Sequence, residues 1–193
     1  MFDYLKVQEP HDVLLKWIDE AKCKDPNAMV IASMHDGALS TRTVLAKSIS
    51  KNGIKFYTNY TSQKALGLIS NPTIAVTFFW NNLHRQIHIK GIVKKTSRDD
   101  SIKYWQSRSR PSQLSQYISK QSQVCPSKEQ LQTEYEEAKK QFSGKDIPCP
   151  DHWGGFIIKP TEWELWMGQD HRLHDRFSYR LIDDQYVCNR LYP

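Results

Sequence analysis

A short charged segment near the carboxyl end of the chain offers the most chemistry in the sequence. Arg172 and Arg176 place two guanidinium groups, and His174 an imidazole, between two runs that are typical of β-strands. A plain hairpin turn would favour Gly, Asn or Asp at such a place. Trp166 precedes the segment, and its indole could form an aromatic wall for a planar ligand. The same pattern also fits a charged loop below a core tryptophan, so spacing alone leaves both interpretations open.

A second candidate group lies on a predicted helix at residues 97–108. Tyr104 and Arg108 are four residues apart and share one face of that helix, and Ser112 lies just beyond its predicted end. A phenol, a guanidinium and a hydroxyl all donate hydrogen bonds, and one of them is charged, which suits a phosphate group. The spacing is equally typical of a surface arginine packed on a tyrosine.

Other polar residues carry weaker signals. Arg42 and Lys47 fall on one predicted strand with opposite parity, so they should point to opposite faces unless a bulge intervenes. Gln86 on a strand, and Gln121 with Ser122 after a short helical stretch, are typical of exposed polar groups. The chain has no catalytic Ser-His-Asp pattern, Walker motif or dinucleotide-binding glycine pattern. It also has no metal-ligand spacing, so we predict no metal site.

Composition and charge favour a small anionic partner. The 27 Lys and Arg residues exceed the 21 Asp and Glu residues, which gives a net charge of +6, but no basic run is longer than two residues. Nucleic-acid-binding proteins usually cluster their cations, so we predict no nucleic-acid partner. The four cysteines form no CxxC pair. Without a signal-peptide pattern or a bilayer-spanning apolar run, we expect a cytoplasmic protein with no membrane partner.

The elements that must position these residues are mostly short strands joined by turns. Helix signals lie at residues 10–22, 62–69, 97–108 and 127–141, and Ser97 with Asp100 forms a capping pattern at the third. Strand signals lie at residues 28–34, 39–48, 54–58, 74–80, 85–93, 153–159, 163–167, 177–181 and 185–190. The pattern predicts one α+β domain over residues 1–193, mainly β with helical insertions. We expect a closed β-barrel with a helical segment at 1–24, a helical insertion at 95–145 and C-terminal strands at 153–193.

Several segments, taken in their joint order and spacing, resemble the pyridoxamine 5′-phosphate oxidase family over about residues 12–193. They lie at residues 27–29, 42–47, 56–59, 85–86, 104–108, 112–113, 120–122, 153–155 and 166–176. The resemblance implies an FMN-binding split β-barrel that forms a homodimer, with FMN at the subunit interface. It also implies oxidation of pyridoxamine or pyridoxine 5′-phosphate by O2, which yields pyridoxal 5′-phosphate and H2O2.

The resemblance further assigns roles to individual residues. It implies that FMN is bound by Arg42, Val44, Leu45, Lys47, Tyr57, Thr58, Lys64, Gln86, Gln121, Ser122, Trp166 and Arg176. It implies that the substrate phosphate is bound by Lys47, Tyr104, Arg108 and Ser112. Arg172 and His174 would cover the pyridine ring and act as the catalytic pair.

The chain departs from the family pattern at a few positions. Gln63 stands where the family usually has Arg, so one cation near the FMN phosphate is missing, and FMN should bind about tenfold more weakly unless another group compensates. Met167 replaces a glutamine, and residues 109–111 reorder a Pro-Arg segment. Two other functions stay open: a different flavin oxidoreductase such as a phenazine-pathway oxidase, or a non-catalytic protein that binds FMN or pyridoxal phosphate.

Overall fold

The computed structural model describes residues 4–193, in which nine strands and five α-helices occur. The strands are β1 (Ala28–His35), β2 (Ala38–Leu45), β3 (Ser48–Ser50), β4 (Gly53–Asn59), β5 (Thr73–Trp80), β6 (Arg85–Lys95), β7 (Trp153–Met167), β8 (Asp175–Ile182) and β9 (Gln185–Leu191). The helices are α1 (Pro10–Glu20), α2 (Gln63–Ser70), α3 (Arg98–Gln106), α4 (Arg110–Ile118) and α5 (Lys128–Gln141). None of the described helices is both long and apolar enough to cross a membrane.

The strands form one antiparallel sheet in the order β2-β1-β5-β6-β7-β4-β3, and β8 lies between β7 and β9. Within residues 4–193 no ladder joins β2 to β3, the two ends of this path. The barrel is therefore split, as the family resemblance implies, and the closed barrel expected from the strand pattern is wrong. The chain leaves β2 at Leu45, and the backbone N–H of Lys47 already bonds the carbonyl of Lys55 at 2.8 Å, beside β3.

Alternating burial explains why most strands were predictable. β5 buries every second side chain, and its bounds confirm the strand signal at 74–80. The predicted strand at 39–48 is instead two strands, β2 and β3. The signals at 153–159 and 163–167 are one strand, β7, which continues through Pro160. The register there shifts between Lys90 and Gly91, and a Cβ on Gly91 would lie 2.4 Å from the carbonyl oxygen of Lys159. The glycine permits this bulge.

The region between β6 and β7 is helical, with one helix more than the long helix signals predicted. The Ser97 hydroxyl accepts a hydrogen bond from the backbone N–H of Asp100 at 3.1 Å, which confirms the predicted cap of α3. The next helix, α4, begins after Ser109 and carries Pro111 in its first turn, where the missing N–H costs nothing. Ser112 therefore lies beyond the end of α3, as predicted, but inside a further helix. α3 ends at Gln106, so Arg108 follows the helix and the prediction that it lies on the helix face is wrong.

Two apolar clusters hold these elements together. The larger lies between α1, α2 and the sheet and includes Trp17, Phe56 and Phe78. The smaller joins α3, α4 and α5 to the start of β7 through Trp105 and Trp153, both about 1% exposed. Burial of each such aromatic side chain contributes roughly 1.5–3 kcal/mol. Trp153 thus attaches the helical region to the sheet, and the candidate site lies at that junction.

Candidate active site

A cavity of about 470 Å³ lies where β2, β4 and α2 meet α3 and α4. This volume is within the range of small-molecule sites, roughly 300–1,000 Å³. It brings together seven of the predicted FMN-binding residues: Val44, Leu45, Lys47, Tyr57, Thr58, Lys64 and Gln121. It also brings together the whole predicted phosphate set of the substrate: Lys47, Tyr104, Arg108 and Ser112. Residues distant in the sequence thus converge on one polar cavity, and no carboxylate is among the residues that line it.

Lys64 is a buried cation without an acidic partner in the part of the chain that the structure describes. Its side chain is at the first turn of α2, and the residue is 7% exposed. The ammonium donates to the Thr58 hydroxyl at 3.0 Å, the Ser62 hydroxyl at 3.1 Å and the Gln121 amide oxygen at 3.2 Å. Burial, and secondly repulsion from Arg42, lowers the pKa of Lys64 to about 8. A buried charge with only neutral partners is costly, so an anion bound here would be strongly favoured.

Arg108 is a second cation that packs against aromatic rings and has no carboxylate partner in residues 4–193. Its guanidinium carbon lies 5.1 Å from the ring centre of Trp153, and Nη2 donates to the Ser112 carbonyl at 3.1 Å. Its Nε is buried and has no hydrogen-bond partner among the described residues. Burial lowers the pKa of Arg108, but a guanidinium stays charged at neutral pH. The side chain is held by packing, which leaves its charge available to an anionic ligand.

A stack of aromatic rings forms one wall of the cavity. The rings of Tyr57 and Tyr104 lie 3.8 Å apart at 18°, and Trp153 lies 5.6 Å from Tyr57 at 15°. Gly155 makes this stack possible, because a Cβ there would lie 2.8 Å from Cε1 of Tyr57. Burial, and secondly the nearby Asp100, raises the pKa of Tyr57 to about 12. The Tyr57 phenol therefore stays protonated, and its ring position is fixed.

A second group of predicted residues lies on the neighbouring strands β6, β7 and β8 and does not line the cavity. Gln86 on β6, Trp166 on β7 and Arg176 on β8 are directly opposite one another, so their side chains share one face of the sheet. We call these three residues the outer row. Arg176 is already paired: its Nε and Nη2 each lie 2.9 Å from Oε1 of Glu164. The outer row therefore consists of the Gln86 amide, the Trp166 indole and the Arg176 guanidinium, whose charge is balanced by Glu164.

The predicted catalytic pair lies next to the outer row. The ring of His174 is 4.8 Å from that of Trp166, and Nδ1 of His174 accepts a hydrogen bond from the backbone N–H of Gln169 at 3.1 Å. Arg172 is exposed and has a left-handed backbone, with φ 62°, directly after His171 at φ 56°. Such conformations cost about 1 kcal/mol or more in residues other than glycine and concentrate at functional sites.

Two further predicted residues lie outside the cavity, and three unpredicted residues lie inside it. Arg42 is exposed, and its Nη2 donates to the Gln63 amide oxygen at 3.3 Å. Ser122 is exposed with φ 73°. The additional lining residues are Thr43, Ser109 and Gln116. Helical spacing from Ser112 would have indicated Gln116, had α4 been recognised. No group of three or more potential metal ligands occurs among residues 4–193.

Comparison with known proteins gives these features a context. Residues 19–142 match the family described as pyridoxamine 5′-phosphate oxidase, and residues 153–193 match the pyridoxine 5′-phosphate oxidase C-terminal dimerisation region. The pyridoxine/pyridoxamine 5′-phosphate oxidase 2 of Hydrogenovibrio crunogenus is 43% identical over 182 residues, which is 92% of this chain and 85% of that protein. The pyridoxine/pyridoxamine 5′-phosphate oxidase of Leptospira biflexa is 38% identical over 189 residues, which is 96% of this chain and 89% of that protein.

Two solved structures are similar over the whole chain. PhzG from Burkholderia lata 383, in complex with tetrahydrophenazine-1-carboxylic acid, is 27% identical with a TM-score of 0.93, and the match covers 100% of this chain and 98% of PhzG. A pyridoxamine 5′-phosphate oxidase-related, FMN-binding protein from Nostoc punctiforme matches with a TM-score of 0.75 at 16% identity, and covers 100% of both chains. The latter similarity concerns the fold alone.

Proposed function

The chain belongs to the pyridoxamine 5′-phosphate oxidase family, and from this premise we propose that it is an FMN-dependent oxidase of phosphorylated B6 vitamers. The proposed reaction converts pyridoxamine 5′-phosphate or pyridoxine 5′-phosphate to pyridoxal 5′-phosphate, with O2 as the oxidant and H2O2 as a product. The observation that carries the proposal is a cavity without a lining carboxylate, whose cations Lys64 and Arg108 have no acidic partner among the described residues. The reaction requires two phosphate sites, one on the flavin and one on the substrate.

Lys64 and its neighbours suit the phosphate of FMN. The ammonium of Lys64, the hydroxyl of Thr58 and the amide of Gln121 form one connected polar group at the cavity wall. A phosphate beside Lys64 would supply the negative charge that the folded chain lacks there, and charge-assisted hydrogen bonds are about twice as strong as neutral ones. FMN held by these residues would supply the redox chemistry of the reaction, namely hydride acceptance and electron transfer to dioxygen.

The other end of the cavity suits the phosphate of the substrate. Arg108 and Ser112 lie on the α3–α4 segment, Tyr104 is fixed by its stack on Tyr57, and Lys47 extends from the end of β2. Together they supply two charges and two hydroxyl donors. Their task is to bind the phosphate and so hold the reacting carbon close to the flavin, since correct positioning is a large part of catalysis of this kind.

We further infer that the active enzyme is a homodimer. The outer row and the pair Arg172 and His174 are not among the residues that line the cavity; Arg172 is exposed and the other four residues are half-buried. This part of the chain falls within the match to a dimerisation region at residues 153–193. Two copies could each offer the outer row to the other's cavity. Arg172 and His174 would then cover the substrate ring and exclude water from it.

A phenazine-pathway oxidase is the second candidate, since PhzG is similar over the whole chain at a TM-score of 0.93. The ligand named with that protein is a carboxylic acid without a phosphate. The grouping of Tyr104, Arg108 and Ser112 favours a phosphorylated substrate instead. A non-catalytic flavin protein would bind FMN and show no turnover.

One assay separates these functions. The purified protein is loaded with FMN and given pyridoxine 5′-phosphate, pyridoxamine 5′-phosphate or unphosphorylated pyridoxine under air, and aldehyde and H2O2 are measured. We expect equal amounts of both products from the two phosphorylated compounds and at least a hundredfold lower kcat/KM for pyridoxine. A yellow protein that produces neither aldehyde nor H2O2 would contradict the proposal, and equal rates with pyridoxine would contradict the phosphate site.

A further inference from the structure

Gln116 lines the cavity although neither the spacing nor the family resemblance assigns it a role. It lies on α4, four residues after Ser112, so the two side chains are neighbours on one helix face. Arg108 lies just before this helix, and Nη2 of Arg108 bonds the Ser112 carbonyl at 3.1 Å. Gln116 therefore extends the group to which we assign the substrate phosphate.

Trp153 fixes the orientation of the Gln116 amide. An indole N–H can only donate, and Nε1 of Trp153 donates to Oε1 of Gln116 at 3.1 Å. The indole itself cannot turn, because Trp153 is 1% exposed and packs against Tyr57 and Trp105. The amide oxygen of Gln116 is thus occupied. Its Nε2, with two N–H donors, has no hydrogen-bond partner among residues 4–193.

The same indole also supports Arg108, whose guanidinium lies 5.1 Å from the Trp153 ring centre. One buried tryptophan therefore positions both a charged donor and a neutral donor at one end of the cavity. The neighbouring hydroxyls of Ser109 and Ser112 lie 2.9 Å apart and add two more polar groups there. An amide N–H at this end of the cavity is available as an additional donor to an oxyanion.

We propose that Gln116 is a specificity-determining residue, whose Nε2 donates a hydrogen bond to a phosphate oxygen of the substrate. This inference rests on the proposed function and deepens it. A hydrogen bond to a charged group changes affinity by about tenfold or more. Gln116 therefore raises the preference for phosphorylated over unphosphorylated B6 vitamers, while the flavin site and the chemical step do not depend on it.

Two variants test this role. Gln116→Glu keeps an oxygen acceptor for Trp153 but replaces the donor with a negative charge, and Gln116→Met removes the donor without adding charge. In the FMN-loaded protein we expect KM for pyridoxine 5′-phosphate to rise about tenfold in Gln116→Met and further in Gln116→Glu, with kcat within about threefold. Calorimetric titration with pyridoxal 5′-phosphate should show the same loss of affinity.

A matched control is Ser115→Glu. Ser115 is exposed, lies next to Gln116 on α4 and does not line the cavity, so the same added charge should leave KM unchanged. Pyridoxal 5′-phosphate affinities within twofold of wild type in both Gln116 variants would overturn the inference. Loss of FMN from both variants would overturn it as well, because the contact would then be to the cofactor. Failure of the wild type itself to bind pyridoxal 5′-phosphate would overturn the proposed function first, so the two failures are distinguishable.

Discussion

The cations of the cavity and those of the C-terminal strands are held in opposite ways. In the cavity, Lys64 and Arg108 contact hydroxyls, amides and aromatic rings, and no carboxylate pairs with them in the described residues. On β8 and β9, Arg176 pairs with Glu164 at 2.9 Å and Arg190 with Asp175 at 2.6 Å. The net charge of +6 does not distinguish these regions. The absence of a carboxylate beside the cavity cations does distinguish them, and it indicates that an anionic ligand binds in the cavity.

Removal of a cavity cation should cost far more function than removal of a paired one. We expect Arg108→Ala to raise KM for pyridoxine 5′-phosphate about a hundredfold, because a guanidinium makes two or more charge-assisted bonds to a phosphate. Steady-state kinetics with the FMN-loaded protein measures this effect. Arg190→Ala is the matched control and should change KM less than twofold, since Arg190 is exposed and paired. An equal rise of KM in Arg108→Ala and Arg190→Ala would contradict the difference between unpaired and paired cations.

Among the exposed arginines near the outer row, namely Arg172, Arg180 and Arg190, only Arg172 should contribute to catalysis. We expect Arg172→Ala to lower kcat/KM at least tenfold and to keep bound FMN, because its proposed contact is to the substrate ring and not to the flavin. Flavin absorbance gives the FMN content, and the oxidase assay gives the kinetics. Arg180→Ala, at an exposed position on β8, should behave as wild type. A colourless Arg172→Ala protein would assign this residue to the cofactor instead.

Lys64 extends the comparison from substrate binding to stability. Its buried charge should strengthen FMN binding but should not stabilise the folded, FMN-free protein. Lys64→Met should weaken FMN binding about tenfold, by loss of a charge-assisted bond to the phosphate. The unfolding temperature of the FMN-free protein should not fall, because the variant also removes a buried, uncompensated charge. Flavin fluorescence titration and thermal unfolding measure the two effects. A clear fall in that unfolding temperature would mean that the hydrogen bonds of Lys64 stabilise the fold.

The smallest expected effect is a pH dependence of FMN affinity. The folded-state pKa of Lys64 is about 8, below its ordinary value of 10.5, so the ammonium loses its charge above pH 8 when no anion is bound. FMN affinity should fall as the pH rises through 8, by at most about tenfold per pH unit. Between these two values the unfolded state binds more protons, so the ligand-free protein should gain stability as the pH rises.

Titrations of FMN at several values between pH 7 and pH 9.5 test this dependence, and Lys64→Arg is the control. A guanidinium does not titrate in this range, so the affinity of Lys64→Arg should be flat. An equal slope in wild type and in Lys64→Arg would assign the dependence to another group.

The sequence was sufficient for most of the sheet and for ten of the residues that line the cavity, and the reasons are physical. Alternation along β5 follows directly from burial of one face, and the capping pattern at Ser97 is local. β3 is three residues long, which is too short for any periodic signal. Only a short helical stretch without bounds was expected where α4 lies, because Ser, Arg and Pro at its start do not distinguish a polar helix from a loop. The contact between Gln116 and Trp153 joins residues 37 positions apart, and no local pattern predicts it.

The length of β7 separates the cavity from the outer row. Its first residue, Trp153, packs on Tyr57 of the cavity wall. Trp166 in the outer row comes thirteen residues later, which is roughly 40 Å along an extended strand. A cavity of about 470 Å³ is only about a quarter as wide. A ligand in that cavity would therefore meet the outer row through the second copy that we propose. In the proposed dimer each subunit's site would depend on its neighbour, so dilution to monomers should abolish turnover without unfolding either apolar cluster.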